Sequence, residues 1–317
     1  MASADQLRVI LGATASGKTA LALEIAARAG AEIVSLDSML VYRGMDIGTA
    51  KPSAAERARV RHHALDLVAP HEEFTVQQYL AAAESALADA AARGARALFV
   101  GGTAFYYKTL VHGLFRGPDV DRELRARLEL RFDREGAAAV HAELARVDPR
   151  AAARIHCNDR KRVVRALEVF EQTGAPLSDL QREWGWDDGA SGAPAGRARR
   201  VIELVVPVDE LDRRIAERTR AMLDAGWVEE ALRIRAEGGF SATSRQALGY
   251  AEVLRLADGE LGRADAVAEI ALRTRQFARR QRTWLRKFEE ARRVASPENE
   301  QDLAQRVDEV LEWFDWR

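Results

Sequence analysis

The sequence predicts an α/β protein: a parallel-sheet core, interrupted by a helical insertion and completed by C-terminal helices. Three observations carry this. A strand-like run, Leu7–Leu11, passes through a glycine loop into an Ala- and Leu-rich helical stretch, Thr19–Ala29. Further strand-like runs, Ala31–Leu36, Arg96–Val100 and Arg199–Val206, are separated by helical periodicity. From about Arg116 the β signals stop, leaving helical patterns over Asp121–Arg134, Ala137–Val147 and Asp159–Thr173. The expected organisation is therefore a core of residues 1–115 and 198–317 around an insertion of residues 116–197, closed by a flexible loop at Asp187–Gly196.

The first connection is Gly12-Ala13-Thr14-Ala15-Ser16-Gly17-Lys18-Thr19, a phosphate-binding P-loop pattern in the strand–loop–helix context it requires. Glycines let backbone N–H groups turn around an anion, and the helix N-terminus adds partial positive charge. Lys18 supplies a full charge, and Thr19 a hydroxyl able to hold Mg2+. The core is expected to be P-loop NTPase-like.

The second strand runs into Asp37-Ser38. Ligands of open α/β sheets bind at the carboxyl ends of strands, so Asp37 is placed near the loop as a general base or magnesium partner. Tyr42–Pro52 reads as a shaped loop, and Ser53–Arg61 as a short helix with Ser53 and Glu56 forming a capping box. His62-His63, without a third ligand nearby, is not read as a metal site, and Ala64–Val68 reads as a short strand. Phe74–Arg93 is helical, and Gly94 ends it. The strand Arg96–Val100 ends in Gly101-Gly102-Thr103, where many P-loop ATPases carry a magnesium-holding Asp. The two glycines are expected to allow close ligand approach, with Thr103 offering a hydroxyl.

Bulk charge marks no polyanion binder: 48 Lys and Arg balance 49 Asp and Glu. Local charge does. Arg154–Arg165 carries five basic residues and reads equally as a phosphate-contacting patch or as a solvated helix start capped by Asp159. Asp209–Ala225 reads as a helix with Arg214 and Arg218 on one face, suited to a pyrophosphate. Glu269–Phe288 shows an apolar face containing Ile270, Phe277, Gln281 and Leu285 beside a stripe of Arg275, Arg279, Arg282 and Arg286. No acid interrupts Ala271–Lys287, which points to a nucleic acid. A further helix is expected to start at Ser296-Pro297. One cysteine, Cys157, excludes an internal disulfide, and neither a signal peptide nor a membrane span is visible. A soluble cytoplasmic monomer is expected.

Taken together, these residues resemble the tRNA dimethylallyltransferases (tRNA isopentenyltransferases), over nearly the whole chain. The resemblance runs through Gly12–Thr19, Asp37–Pro52, Val100–Leu114, Ala153–Phe170, Arg245–Tyr250 and Arg279–Phe288. Ala13 and Cys157 stand where that family commonly has proline, and no zinc-finger extension of the eukaryotic kind is visible, which fits a bacterial form.

The resemblance implies transfer of a dimethylallyl group from dimethylallyl pyrophosphate to N6 of the adenine just 3′ of the anticodon. The P-loop, Gly12 to Thr19, would bind pyrophosphate, with Lys18 on the phosphates, Thr19 on Mg2+ and Arg214 and Arg218 nearby. Asp37 would be the base toward the adenine amine and Thr103 would lie at the reacting centre. The tRNA anticodon stem-loop would be touched by Asp37, Ser38, Met39 and Leu40, and by Lys161, Arg162, Val163, Val164 and Arg165. It would also be touched by Arg245, Gln246, Ala247, Leu248, Gly249 and Tyr250, and by Arg279, Arg280, Gln281, Arg282, Thr283, Trp284, Leu285 and Arg286.

Overall fold

The computed structural model describes residues 6–114, 117–180 and 199–316. The chain divides into two compact units, Met1–Val111 with Arg197–Arg317, and His112–Gly196. The expected loop Asp187–Gly196 lies outside the described residues.

The first unit is built on six strands: β1 Leu7–Gly12, β2 Ala31–Leu36, β3 His62–His63, β4 Arg96–Gly101, β5 Arg199–Val205 and β6 Ala291–Ala295. Their order is β3-β2-β4-β1-β5-β6, and every pairing is parallel. β1, β2 and β4 are mainly apolar, as strands of a parallel sheet covered on both faces are; the exceptions are Arg8 and Glu32, buried with hydrogen-bond partners, and Arg96 at the exposed start of β4. Leu11 and Leu36 both pair with Gly101, so these strands end level, and their connections share one rim of the sheet.

The helices of this unit among the described residues are α1 Lys18–Ala29, α2 Ala54–Arg59, α3 Val76–Ala92, α4 Ala104–His112, α10 Val208–Asp224, α11 Trp227–Ala236, α12 Tyr250–Ala257, α13 Arg263–Leu285 and α14 Glu300–Trp313. Leu21 and Ile25 of α1 and Val307, Val310 and Leu311 of α14 bury against Ile10, Ile33, Leu98 and Ile202. α3 packs on β2 and β4, and α13 on β1. The Ser53–Glu56 capping box forms in both directions.

The second unit is helical: α5 Arg122–Glu135, α6 Ala137–Val147, α7 Pro149–Arg154, α8 Arg160–Thr173 and α9 Leu177–Leu180. Leu124, Leu128, Val140, Leu144, Val163 and Leu167 form its core. The fully buried Glu168 carboxylate accepts from Arg125 at 2.6 Å and from the Asp121 amide at 3.1 Å, and pairs with Arg165 at 3.0 Å.

Several local expectations need correction. The edge strand is His62–His63, not Ala64–Val68. Ala64 and Asp66 take left-handed φ values of 57° and 55°, which break an extended run. The Asp66 carboxylate is held by Lys51 at 2.7 Å and Arg57 at 2.7 Å. β6, Ala291–Ala295, is a strand that the sequence did not signal, and it buries Ala291 and Val294. α13 begins six residues before Glu269, at Arg263, and α14 begins at Glu300 with Asn299 as its cap rather than at Ser296-Pro297.

Candidate active site

The loop between β1 and α1 closes on itself through its small residues. A Cβ on Gly12 would sit 2.4 Å from Ser16 Oγ, and Gly17 caps α1 with φ 80°. Ala13 packs with Leu211 and Ile215 of α10. Lys18 Nζ donates to Ala13 O at 3.3 Å, and Arg218 Nη2 donates to Thr14 Oγ1 at 2.6 Å. The Thr14 amide donates to Gln281 Oε1 at 2.8 Å, and Gln281 Nε2 donates to Gly102 O at 3.0 Å. Gln281 thus ties α13 to the phosphate loop and to the end of β4.

At this rim lies a cavity of about 110 Å³. Thr14, Lys18, Thr19 and Arg218 line it together with Asp37, and Leu40, Ala50, Pro52, Leu65 and Phe277 give it apolar walls. Ile33, Ser35 and Asp37 all face it, as alternate residues of an extended run must. Asp37 Oδ1 accepts from the Met39 amide at 2.8 Å, and Thr103 Oγ1 accepts from the Ser38 amide at 3.3 Å. Together these bonds fix the turn after β2.

Burial pushes the Lys18 ammonium down to about 8, against the favourable charge of Asp37 and reinforced by repulsion from Arg218. Burial likewise lowers the Arg218 guanidinium, and Asp37 opposes it. Two cations and one carboxylate in one enclosure leave an excess positive charge that an anion would relieve.

Residues 40–288 match the family model described as IPP transferase. The chain belongs to the IPP transferase family. Residues 5–69 also match a model described as isopentenyl transferase. A tRNA dimethylallyltransferase of Anaeromyxobacter dehalogenans is 44% identical, covering 96% of this chain and 99% of its own. One from Methylococcus capsulatus is 45% identical, over 89% and 90%. Among solved structures, the tRNA isopentenylpyrophosphate transferase of Bacillus halodurans matches with TM-score 0.68 and 32% identity, over 98% of this chain and 97% of that one. A eukaryotic dimethylallyltransferase shares the fold at TM-score 0.80 and 24% identity, over 98% and 79%.

For this member of the IPP transferase family, the structure sorts the candidate residues. It brings Thr14, Lys18, Thr19, Asp37, Leu40 and Arg218 to one cavity. Arg214 sits at Gly17 but is committed to Ser296 Oγ at 2.9 Å and Glu210 at 2.6 Å. Gly101 lines the cavity, and both glycines also permit close packing: added Cβ atoms would lie 2.2 Å from Leu36 O and 2.4 Å from Gln281 Nε2.

Other side chains do not fit direct contact with RNA. Val163, Val164, Ala247, Tyr250, Gln281 and Leu285 are buried. They hold apolar cores or internal hydrogen bonds, so neighbouring residues must supply any contact. Arg165 is occupied by Glu168 and by Pro118 O at 2.7 Å, and Arg162 pairs with Asp159 at 3.4 Å, while Lys161 is exposed. Arg279, Arg280 and Arg286 are exposed, and neither they nor Arg282 form an ion pair among the described residues. Of the flanking arginines, Arg273 pairs with Glu252. Ser35 and His62 line the cavity although neither was singled out as a site residue, and Ala50 of the Asp37–Pro52 motif lines it too.

Among the described residues, no helix is long and apolar enough to cross a membrane.

Proposed function

We propose that this chain transfers the dimethylallyl group of dimethylallyl pyrophosphate to N6 of the adenine immediately 3′ of the anticodon in tRNA, releasing pyrophosphate. Family membership supports the reaction class, and one observation carries the assignment of this site. Lys18, Thr19 and Arg218 share a single cavity with the Asp37 carboxylate and an apolar wall. Such a cavity suits a molecule with an anionic end, a short hydrocarbon tail and a reacting carbon between them.

The adenine amine is a weak nucleophile because its lone pair is delocalised into the ring, so the electrophile must ionise early. As the allylic carbon–oxygen bond breaks, its electron pair leaves with pyrophosphate, and Lys18, Arg218 and loop N–H groups stabilise that charge. The N6 lone pair forms the new carbon–nitrogen bond, and the N6 proton passes to Asp37. One Asp37 oxygen is anchored by the Met39 amide, and Asp37 lines the cavity. The adenine leaves its stack to reach this point. Exposed Arg279, Arg280 and Arg286 on α13 and Lys161 on α8 supply sequence-independent phosphate contacts.

Magnesium keeps several waters and needs only one or two protein oxygens beside substrate phosphates, so the Thr19 hydroxyl at the cavity suffices as its protein ligand. When bound there, Mg2+ would neutralise pyrophosphate charge.

The test mixes the protein, Mg2+, labelled dimethylallyl pyrophosphate and unmodified tRNA, with free AMP and an ATP-dependent kinase control in parallel. Label at the adenine beside the anticodon is the expected result. Label in AMP alone would move the activity to free nucleotides. ATP turnover without prenyl transfer would overturn the donor assignment.

A further inference from the structure

Part of the cavity lining is Thr49, Ala50 and Pro52, which belong to no helix or strand. Ala50 there has φ 56°, a left-handed conformation that costs a non-glycine residue of order 1 kcal/mol or more unless its surroundings impose it. The Ala50 amide donates to Ile47 O at 3.0 Å, and Ile47 is in turn held from α11. Glu230 is 5% exposed, and its carboxylate is enclosed by four donors. Oε2 accepts from the Asp46 amide at 2.8 Å and the Ile47 amide at 2.7 Å. Oε1 accepts from the Gly48 amide at 3.0 Å and from the Tyr250 hydroxyl at 2.6 Å.

Packing makes the arrangement exclusive. A Cβ on Gly48 would lie 2.1 Å from the Trp227 ring nitrogen, and one on Gly249 would lie 2.0 Å from the same ring. The far end of the loop is fixed separately: the buried Lys51 ammonium donates to Tyr42 O at 2.7 Å, Asp46 at 2.6 Å and Asp66 at 2.7 Å. Three consecutive backbone N–H groups converging on one carboxylate form a built anion nest, filled by the protein itself. A carboxylate buried in this way also resists local opening, because exposing it breaks four charge-assisted bonds together.

We propose that Glu230, supported by Tyr250, is a positioning residue for the prenyl-transfer site. It holds Asp46–Gly48 so that Thr49 and Ala50 form a rigid wall behind the donor. The inference rests on the reading of this cavity as the donor site. Its consequence is kinetic: a loosened wall admits water and lets the ionising donor hydrolyse. It also assigns the buried Tyr250, expected from sequence at the RNA surface, to the donor side.

The experiment compares wild type, Glu230→Gln and Tyr250→Phe. Donor KM, kcat at saturating tRNA, and the fraction of pyrophosphate released without transfer are measured, alongside amide hydrogen exchange over residues 42–53. Glu230→Gln retains shape but turns an N–H pair toward backbone N–H groups. It is expected to raise donor KM about tenfold, with a smaller fall in kcat, a several-fold larger hydrolysed fraction and faster exchange at 46–48. Tyr250→Phe leaves the three backbone bonds and is expected to shift these values about twofold, in the same direction. A Glu230→Gln enzyme with wild-type KM and partition, losing only its active fraction or melting temperature, overturns the positioning role. Wild-type protein that transfers no prenyl group while showing the same exchange protection overturns the donor-site reading instead.

Discussion

Replacing Gln281 by leucine preserves most of the side-chain volume while removing both ends of the bridge between the phosphate loop and β4. Two neutral hydrogen bonds are lost, each worth about 1 kcal/mol net. The Gly102 carbonyl, pressed against Gln281, is left without its donor, and an unsatisfied buried group costs roughly 1–3 kcal/mol more. Water entering the cavity can replace the acceptor lost by the Thr14 amide, so the total is placed at about 2–4 kcal/mol. For a unit of this size, about 2–4 °C per kcal/mol gives a melting temperature lowered by roughly 4–16 °C. Thermal unfolding reads this directly, and donor KM should rise as the loop loses its tether. A leucine variant that melts within about 1 °C of wild type yet binds tRNA more weakly would refute the bridging role and return Gln281 to the RNA surface.

Two further predictions follow from charge. Burial holds Lys18 down to about 8 in the free protein, so it loses its proton as pH rises through that value. Donor kcat/KM should therefore fall above pH 8, while Lys18→Arg should abolish that limb whatever its plateau; a flat wild-type profile from pH 7 to about 9.5 contradicts this. Glu32 lies at about 2, held down first by hydrogen bonds from Arg93 at 2.8 and 2.7 Å and then by His63 at 2.6 Å, with burial opposing. Because the folded value is depressed, the stabilisation is present above the unfolded value near 4.5 and is lost as pH falls toward 2. Glu32→Gln should cost about 2–3 kcal/mol at pH 7 by urea unfolding, with the difference closing in acid; a constant difference across that range would contradict the assignment.

What the sequence made legible was set by short-range physics. The phosphate loop, the ends of β1, β2 and β4, and the Ser53–Glu56 cap involve residues within about one turn of each other, and each formed as its local pattern requires. Asp37 was legible because strand termini of a parallel sheet are collected at one rim. Gln281 carried a readable signal: a polar amide within the apolar face of α13 demands a buried partner. Its partners, Thr14 and Gly102, are distant in sequence and were not readable. The same holds for Glu230, whose four donors come from two remote segments. β6 was hidden because its Arg292 and Arg293 mask a strand whose buried positions are only Ala291 and Val294. The charge pattern also overstated α8: Arg165 looked available from the sequence but is spent on Glu168 within its own unit.

The central claim is that Asp37 accepts the amine proton inside the cavity that holds the donor phosphates. Single-turnover transfer by Asp37→Asn, measured beside tRNA affinity, tests it most directly. The substitution keeps the acceptor oxygen for the Met39 amide but removes the base. The rate should fall about 10²–10⁴-fold with the tRNA Kd changed less than about threefold. A near-normal rate, or a loss explained entirely by weaker tRNA binding, would contradict the account.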